Sequence, residues 1–257
     1  MYTTHIGTST ADSINIYGYD LCSEVIGHAS LADLVFLGAR GRLPTGDESK
    51  MLNALMVGIA EHGFTPSSLA ARLTWLGAPE ATQAAVAAGL LGAGSVYLGA
   101  MELTARTLQE ALESAPGGQS TGRTAAEILD RFTASGEKVP GFGHPTHRPR
   151  DPRTARYFRL AEEWGFLGPH SLLLQAVHAE MERRRGKLIT LNGAGTFGAV
   201  MSDLGFDWRQ VRTVVVAARA VGLVGHIAEE AARGTADGTA QALFRHVEHH
   251  TDYRPRR

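Results

Sequence analysis

Apolar residues recur at helical spacing along nearly the whole chain, with capping residues between the runs. Ser30 can cap a helix carrying Leu31, Leu34 and Val35 that is over by Pro44. Asp47 can cap the next, with Met51, Leu52, Leu55, Met56 and Ile59 on one side and Gly63 as its stop. Pro66 opens a third, with Leu69, Leu73 and Leu76 in a stripe. Thr124 with Glu127 reads as a capping box before Ile128, Leu129 and Phe132. Further helices are expected from Pro152 to Trp164, from about Pro169 to Arg185, and from Asp207 to near Gly234. Only Ser13-Ile14-Asn15-Ile16-Tyr17, ahead of Gly18, alternates as a strand or hairpin does. The pattern predicts an all-α fold with a short N-terminal β-hairpin. From Pro79 to Ala115 the chain is rich in Ala, Gly and Leu, which predicts closely packed, deeply buried helices with a break at Gly92-Ala93-Gly94. Pro116 to Ser120 reads as a linker and a candidate domain boundary.

A length of 257 residues suits one large domain or two smaller ones, and a 44% hydrophobic fraction suits an ordinary core. A net charge of -1 argues against a nucleic-acid or membrane-surface binder. Cys22 is the single cysteine, so no internal disulfide is possible and a reducing, cytoplasmic setting is expected. The first residues lack the basic and apolar regions of a signal peptide. No apolar run reads as a membrane span. The best candidate, Val214 to Ala228, carries Arg219 and His226.

One stretch stands out chemically: Lys138-Val139-Pro140-Gly141-Phe142-Gly143-His144, a basic loop, then Asp151-Pro152-Arg153. Pro140 and the glycines sharpen a turn and allow a ligand close to the main chain. Asp151 fits a helix N-cap and Pro152 the first helical position. A histidine is thus presented on a tight loop with Arg153 in the next helix's first turn, a proton-handling group beside a carboxylate clamp. A plain Gly/Pro surface loop fits the same letters.

Other patterns are weaker. Gly193-Ala194-Gly195-Thr196-Phe197-Gly198 matches the dinucleotide fingerprint, and Leu188 to Leu191 could be a strand before it. The fingerprint belongs in a strand-helix-strand unit, whereas this chain is helical on both sides, so close packing on glycine is the preferred reading. Arg219 and His226 share a face of an apolar helix, either as an internal ion pair or as a clamp for a ligand carboxylate. His246, His249 and His250 lack the other ligands of a metal site, and no metal is expected. No nucleophile elbow occurs, and Cys22 has no activating pattern.

Val139-Pro140-Gly141-Phe142-Gly143-His144 with Asp151-Pro152-Arg153 closely resembles the active-site signature of citrate synthases. Gly41-Arg42-Leu43-Pro44 resembles the family's G-x-L-P element, Arg219 to His226 its R-x-x-G-x-x-x-H helix, and Tyr253-Arg254-Pro255-Arg256 its C-terminal Y-R-P-R. Within that superfamily the chain resembles citryl-CoA lyases and the lyase module of ATP-citrate lyase. Glu61-His62-Gly63 resembles the module's D-H-G, Gly89 to Gly94 and Gly99 to Glu102 its G-L-L-x-x-G stretch, and Leu191-Asn192 with Gly195 its L-N-V-D-G. Tyr97-Leu98-Gly99 stands where synthases carry a histidine in H-G-G, a departure shared with the lyase module. Ala194 stands where both groups keep an aspartate that exchanges a proton with the acetyl carbon, and Pro145 replaces a usual arginine.

The resemblance implies a large helical domain, 1–102 with 195–257, and a small lid domain, 103–194. It implies an enzyme, a carbon–carbon lyase that cleaves citryl-CoA or a related 3-hydroxy-3-carboxyacyl-CoA to acetyl-CoA and oxaloacetate. His62 and His144 would be catalytic. Arg153, Arg219 and Arg254 would bind substrate carboxylates. Lys138, Gly141, Phe142, Gly143 and Arg148 would seat CoA, with Arg148 or Arg150 near phosphate. The implied partners are an acyl-CoA, a di- or tricarboxylate and a second copy of the chain, because the family's tail arginine reaches the neighbouring subunit's site. No cofactor beyond coenzyme A in the substrate, no nucleic acid and no membrane are implied. A synthase-type condensing enzyme and a non-catalytic CoA-ester-binding paralogue are the alternatives, the second because of Ala194.

Overall fold

The structure is a computed structural model and describes residues 2–254. Among the described residues it is mostly helical, with helices α1 to α11 and one small sheet near the N-terminus. The chain divides into two compact units, residues 1–58 with 99–214 and residues 59–98 with 215–257.

The first unit begins with β1 (Gly7–Ser9), β2 (Ile14–Ile16) and β3 (Tyr19–Asp20), antiparallel in the order β1-β2-β3. Gly7 lies opposite Ile16, and Ile16 opposite Tyr19. The expected hairpin is therefore a three-stranded meander. Tyr17 (φ 51°) and Gly18 (φ 89°) turn β2 into β3, the two positive φ angles a tight two-residue hairpin demands. Asp20 then caps a π-helical turn, Leu21–Val25.

Helix α1 (Leu31–Arg40) opens with a Ser30/Asp33 capping box and stops at left-handed Gly41. Helix α2 (Gly46–Ala60) starts before Asp47. Its cap is Thr45, whose hydroxyl accepts the Glu48 N–H while the Glu48 carboxylate accepts the Thr45 N–H. Helix α5 (Ser95–Ser114) is followed by α6 (Thr121–Ser135), capped by Ser120, so Thr124 lies inside α6 and not at its start. Then come α7 (Pro152–Glu163), α8 (Pro169–Arg185), α9 (Gly193–Asp203) and α10 (Trp208–Asp237).

This unit's core gathers Leu108, Ala125, Ile128, Leu129, Leu173, Leu174 and Val177 around α6 and α8. Helix α9 crosses α5 so closely that a Cβ on Gly198 would fall 2.4 Å from the Met101 carbonyl oxygen. That contact, with Leu191 in an isolated bridge instead of a strand, accounts for the glycine spacing of 193–198.

In the second unit α3 (Pro66–Gly77) and α4 (Thr82–Leu91) pack with the later part of α10 and with α11 (Thr239–His249). Ala71, Trp75, Ala85, Leu223 and Ile227 form its core. The inward face of α3 is Ser67, Ser68, Ala71, Arg72 and Trp75, while Leu73 of the expected leucine stripe is exposed. The helices from Pro79 on are less buried than their composition predicts. The break at 92–94 is present, but Leu91, Val96 and Tyr97 around it are exposed. Helix α10, contrary to the sequence reading, is long and apolar enough to cross a bilayer. Val211, Val214, Val215, Ala218 and Leu223 on it are buried within the fold.

Candidate active site

The Lys138–His144 loop belongs to the first unit. Gly141 takes φ +87°, and a Cβ there would lie 2.7 Å from Gly195 Cα and 2.9 Å from Thr104 Oγ1, so only glycine fits. The loop is tied to the segment before α9. Gly143 N–H donates to the Thr190 carbonyl (2.7 Å), Asn192 N–H to the Gly141 carbonyl (3.0 Å), and Asn192 Nδ2 to the Gly143 carbonyl (2.7 Å). Phe142 bridges Leu191, packs on the core and stacks on the His178 ring at 5.8 Å. The loop is therefore rigid up to the residue before His144.

His144 is held by its own loop. Its Nδ1 accepts the Thr146 N–H (3.1 Å) and the His147 N–H (2.9 Å). A backbone N–H can only donate, so Nδ1 keeps its lone pair and the proton of the neutral ring sits on Nε2. Burial pushes the His144 pKa down, His147 and Arg153 add to this, and Asp151 opposes it. The result is a neutral imidazole that offers an Nε2–H donor.

Asp151 is buried and caps α7 through the Arg153 N–H (3.0 Å). It also accepts from the Gly193 N–H (2.8 Å) and from Arg153 Nε (3.1 Å) and Nη2 (2.8 Å). Burial alone would raise its pKa, but these donors overcome it and hold the carboxyl down at about 2. Asp151 thereby orients the guanidinium of Arg153, which lies so close over α9 that a Cβ on Gly193 would sit 2.8 Å from Arg153 Nε. Ala194 follows, half-buried in the first turn of α9.

His144, His147 and Asp151 bring ligand atoms within 4.8 Å of one another, the spacing of a metal site. The donor set is poor for one. Both Asp151 oxygens already accept hydrogen bonds and face a cation, and a metal on His144 Nε2 would require a proton on Nδ1, where two N–H groups point.

The remaining predicted site residues lie as follows. Lys138 and Arg148 are exposed in the first unit, with Arg148 Nε donating to the His144 carbonyl (3.3 Å). His62, Arg219 and Arg254 belong to the second unit. His62 follows α2 on an exposed turn closed by Gly63 (φ +68°), with Glu61 Oε1 accepting the Gly63 N–H at 2.7 Å. Arg219 is buried on α10, 6% exposed. Arg254 is exposed, 3.7 Å from Asp252, and Pro255 and Arg256 of the tail motif lie outside the described residues. His226 turns inward to Arg72 and Glu61. The sequence reading missed Asp151 as the partner that aims Arg153 and Asn192 as the residue that ties down the loop, and it missed Arg72 altogether. The one signal for Arg72 was an arginine placed among the apolar positions of α3.

A sequence model described as the C-terminal domain of citrate synthase matches residues 23–245. The chain belongs to the citrate synthase family. Among curated proteins, a 2-methylcitrate synthase of Mycobacterium tuberculosis is 30% identical over 213 residues, 80% of this chain and 49% of the relative. The chain thus spans about half the length of the curated relatives it matches. Among solved structures, citryl-CoA lyase from Hydrogenobacter thermophilus aligns with TM-score 0.86 and 31% identity, covering 100% of this chain and 96% of that one. An ATP citrate lyase of Methanosaeta concilii, solved with (3S)-citryl-CoA, shares the fold at TM-score 0.76 and 18% identity, over 99% of this chain and 42% of that one.

Proposed function

We propose that this citrate synthase family protein is a citryl-CoA lyase-like enzyme. It would cleave citryl-CoA, or a related 3-hydroxy-3-carboxyacyl-CoA, to acetyl-CoA and oxaloacetate. The observation that carries the reading is the likeness to a citryl-CoA lyase, at TM-score 0.86 and 31% identity. Tyr97 in place of the synthase histidine supports it.

The chemistry is a retro-aldol cleavage. The tertiary hydroxyl gives up its proton to water, the carbon–carbon bond breaks as that oxygen becomes a carbonyl, and the bond's electron pair passes to the thioester enolate, whose carbon then gains a proton. His144, as an Nε2–H donor, suits the oxygen that turns from hydroxyl into carbonyl, and His62 the thioester oxygen that gathers charge. Arg153, held by Asp151, is a proposed contact for a substrate carboxylate, with Arg219 and Arg254 as further proposed cations for a polycarboxylate. Lys138, Gly141, Phe142, Gly143 and Arg148 are the proposed CoA contacts, with residues 103–194 the proposed lid. Ala194 cannot exchange a proton, so the enolate takes its proton from water or from another group.

Ala194 favours a second reading, a paralogue that binds CoA esters without turning them over. The test is to supply purified protein with citryl-CoA in one reaction and with acetyl-CoA plus oxaloacetate in another. The lyase reading expects cleavage to dominate. Dominant condensation would make it a synthase. Tight CoA and citrate binding by calorimetry, with neither reaction, would make it the binding paralogue.

A further inference from the structure

Arg72 has a 2%-exposed side chain on α3, yet every edge of its guanidinium is engaged. Nη1 bonds Glu230, Nη2 bonds Glu229, and Nε donates to His226 Nδ1 at 2.9 Å. An arginine so bound cannot turn, and it always donates. His226 Nδ1 must therefore be an acceptor, which leaves the ring proton on Nε2. That Nε2–H faces Glu61 Oε1 at 2.9 Å. Glu61 precedes His62 directly, and its carboxylate also takes the Gly63 N–H at 2.7 Å. Burial opposes the charged form of Glu61, but Gly63, His226 and the His62 amide outweigh it and keep the carboxyl below its usual range.

Two other contacts hold the same turn. Helix α10 approaches the end of α2 so closely at Gly222 that a Cβ would sit 2.0 Å from the Ala60 carbonyl oxygen. Gly222 and His226 are one helical turn apart, hence on one face of α10. Phe64 covers the outer side, its ring 6.0 Å from that of His226 and 5.0 Å from the Arg72 guanidinium.

We propose that Arg72, His226 and Glu61 form a positioning relay that fixes the turn carrying His62, with the direction of the Arg72–His226–Glu61 hydrogen bonds dictated by the arginine at its buried end. His226 is thus a positioning residue, not a carboxylate ligand. Only the relay's effect on turnover rests on the lyase reading. Its effect on His62 does not.

The test compares wild type with His226→Leu, His226→Gln and Glu61→Ala. A glutamine amide can accept from Arg72 and donate to Glu61, so it restores the relay, whereas leucine breaks it. Glu61→Ala changes an exposed residue and guards against a variant that fails to fold. Imidazole ¹⁵N spectra should show His226 with its proton on Nε2. They should also show His62 signals that change in His226→Leu and Glu61→Ala but stay near wild type in His226→Gln. Unchanged His62 signals in His226→Leu and Glu61→Ala would overturn the relay, whether or not citryl-CoA is cleaved. If wild type cleaves citryl-CoA, His226→Leu should lower kcat about 10- to 100-fold with KM within about threefold, the cost of a misplaced catalytic group. Raised KM with kcat intact would contradict positioning. If wild type does not cleave it, the lyase reading fails and the spectra alone decide the relay.

Discussion

Asp151 shows how one side chain can tie stability to the site. Its carboxylate caps α7, accepts the Gly193 N–H and grips Arg153. Its folded pKa of about 2 lies below the unfolded value of 3.8, so its contribution is fully present above that unfolded value and is lost as pH falls through the folded one. That contribution is about 2 kcal/mol. Urea unfolding of wild type and Asp151→Asn should show a stability gap at neutral pH that narrows by about this amount between about pH 4 and pH 2. A gap constant with pH would mean that Asp151 is not the charged partner of Arg153. At this scale the sequence told much. The loop glycines, His144 and the Asp151-Pro152 cap could be read directly, because each follows from backbone conformation. The partners of Arg72 could not, since Glu229 and Glu230 lie more than 150 positions away along the chain.

Elements were legible wherever apolar spacing and caps agreed, as in α1, α7 and α8. They were misread where two residues compete for a cap. Thr45 prevails over Asp47 and Ser120 over Thr124, because the choice depends on which side chain reaches the first free N–H groups. The leucines of α3 misled for a different reason: Arg72 and its ion pairs share the inner face with Ala71 and Trp75, and that face is not the leucine stripe. Close backbone approach is likewise invisible in a sequence. A Cβ on Gly195 would sit 2.8 Å from the Gly141 carbonyl oxygen, and neither backbone can yield cheaply. Gly195→Ala should therefore lower stability by about 1–3 kcal/mol in chemical denaturation. Gly122→Ala, in α6 with nothing within 4 Å of the added carbon, should be neutral or stabilising by up to about 1 kcal/mol. Equal effects of the two would show that α9 and the loop are not in the contact described.

For the whole molecule, the exposed apolar residues of the second unit carry a prediction. Leu91, Val96, Tyr97, Val221 and Val224 remain in contact with solvent in the single chain, and Val221 and Val224 share a face of α10. The proposed homodimer would cover them. Sedimentation should give about twice the 27.4 kDa of one chain, and Val221→Glu should shift the protein toward the single-chain mass. Wild type at the single-chain mass would remove the dimer. The all-helical fold was readable from spacing alone, and family membership from the ordered motifs. The exposure around the 92–94 break was not, because small and apolar residues look the same in sequence whether they pack inside one chain or against another.

The most direct measurement follows acetyl-CoA and oxaloacetate release from citryl-CoA by wild type and by His144→Ala. The account predicts equimolar release by wild type and a loss of at least about 1,000-fold in kcat for the variant. Equal rates for the two proteins would contradict it.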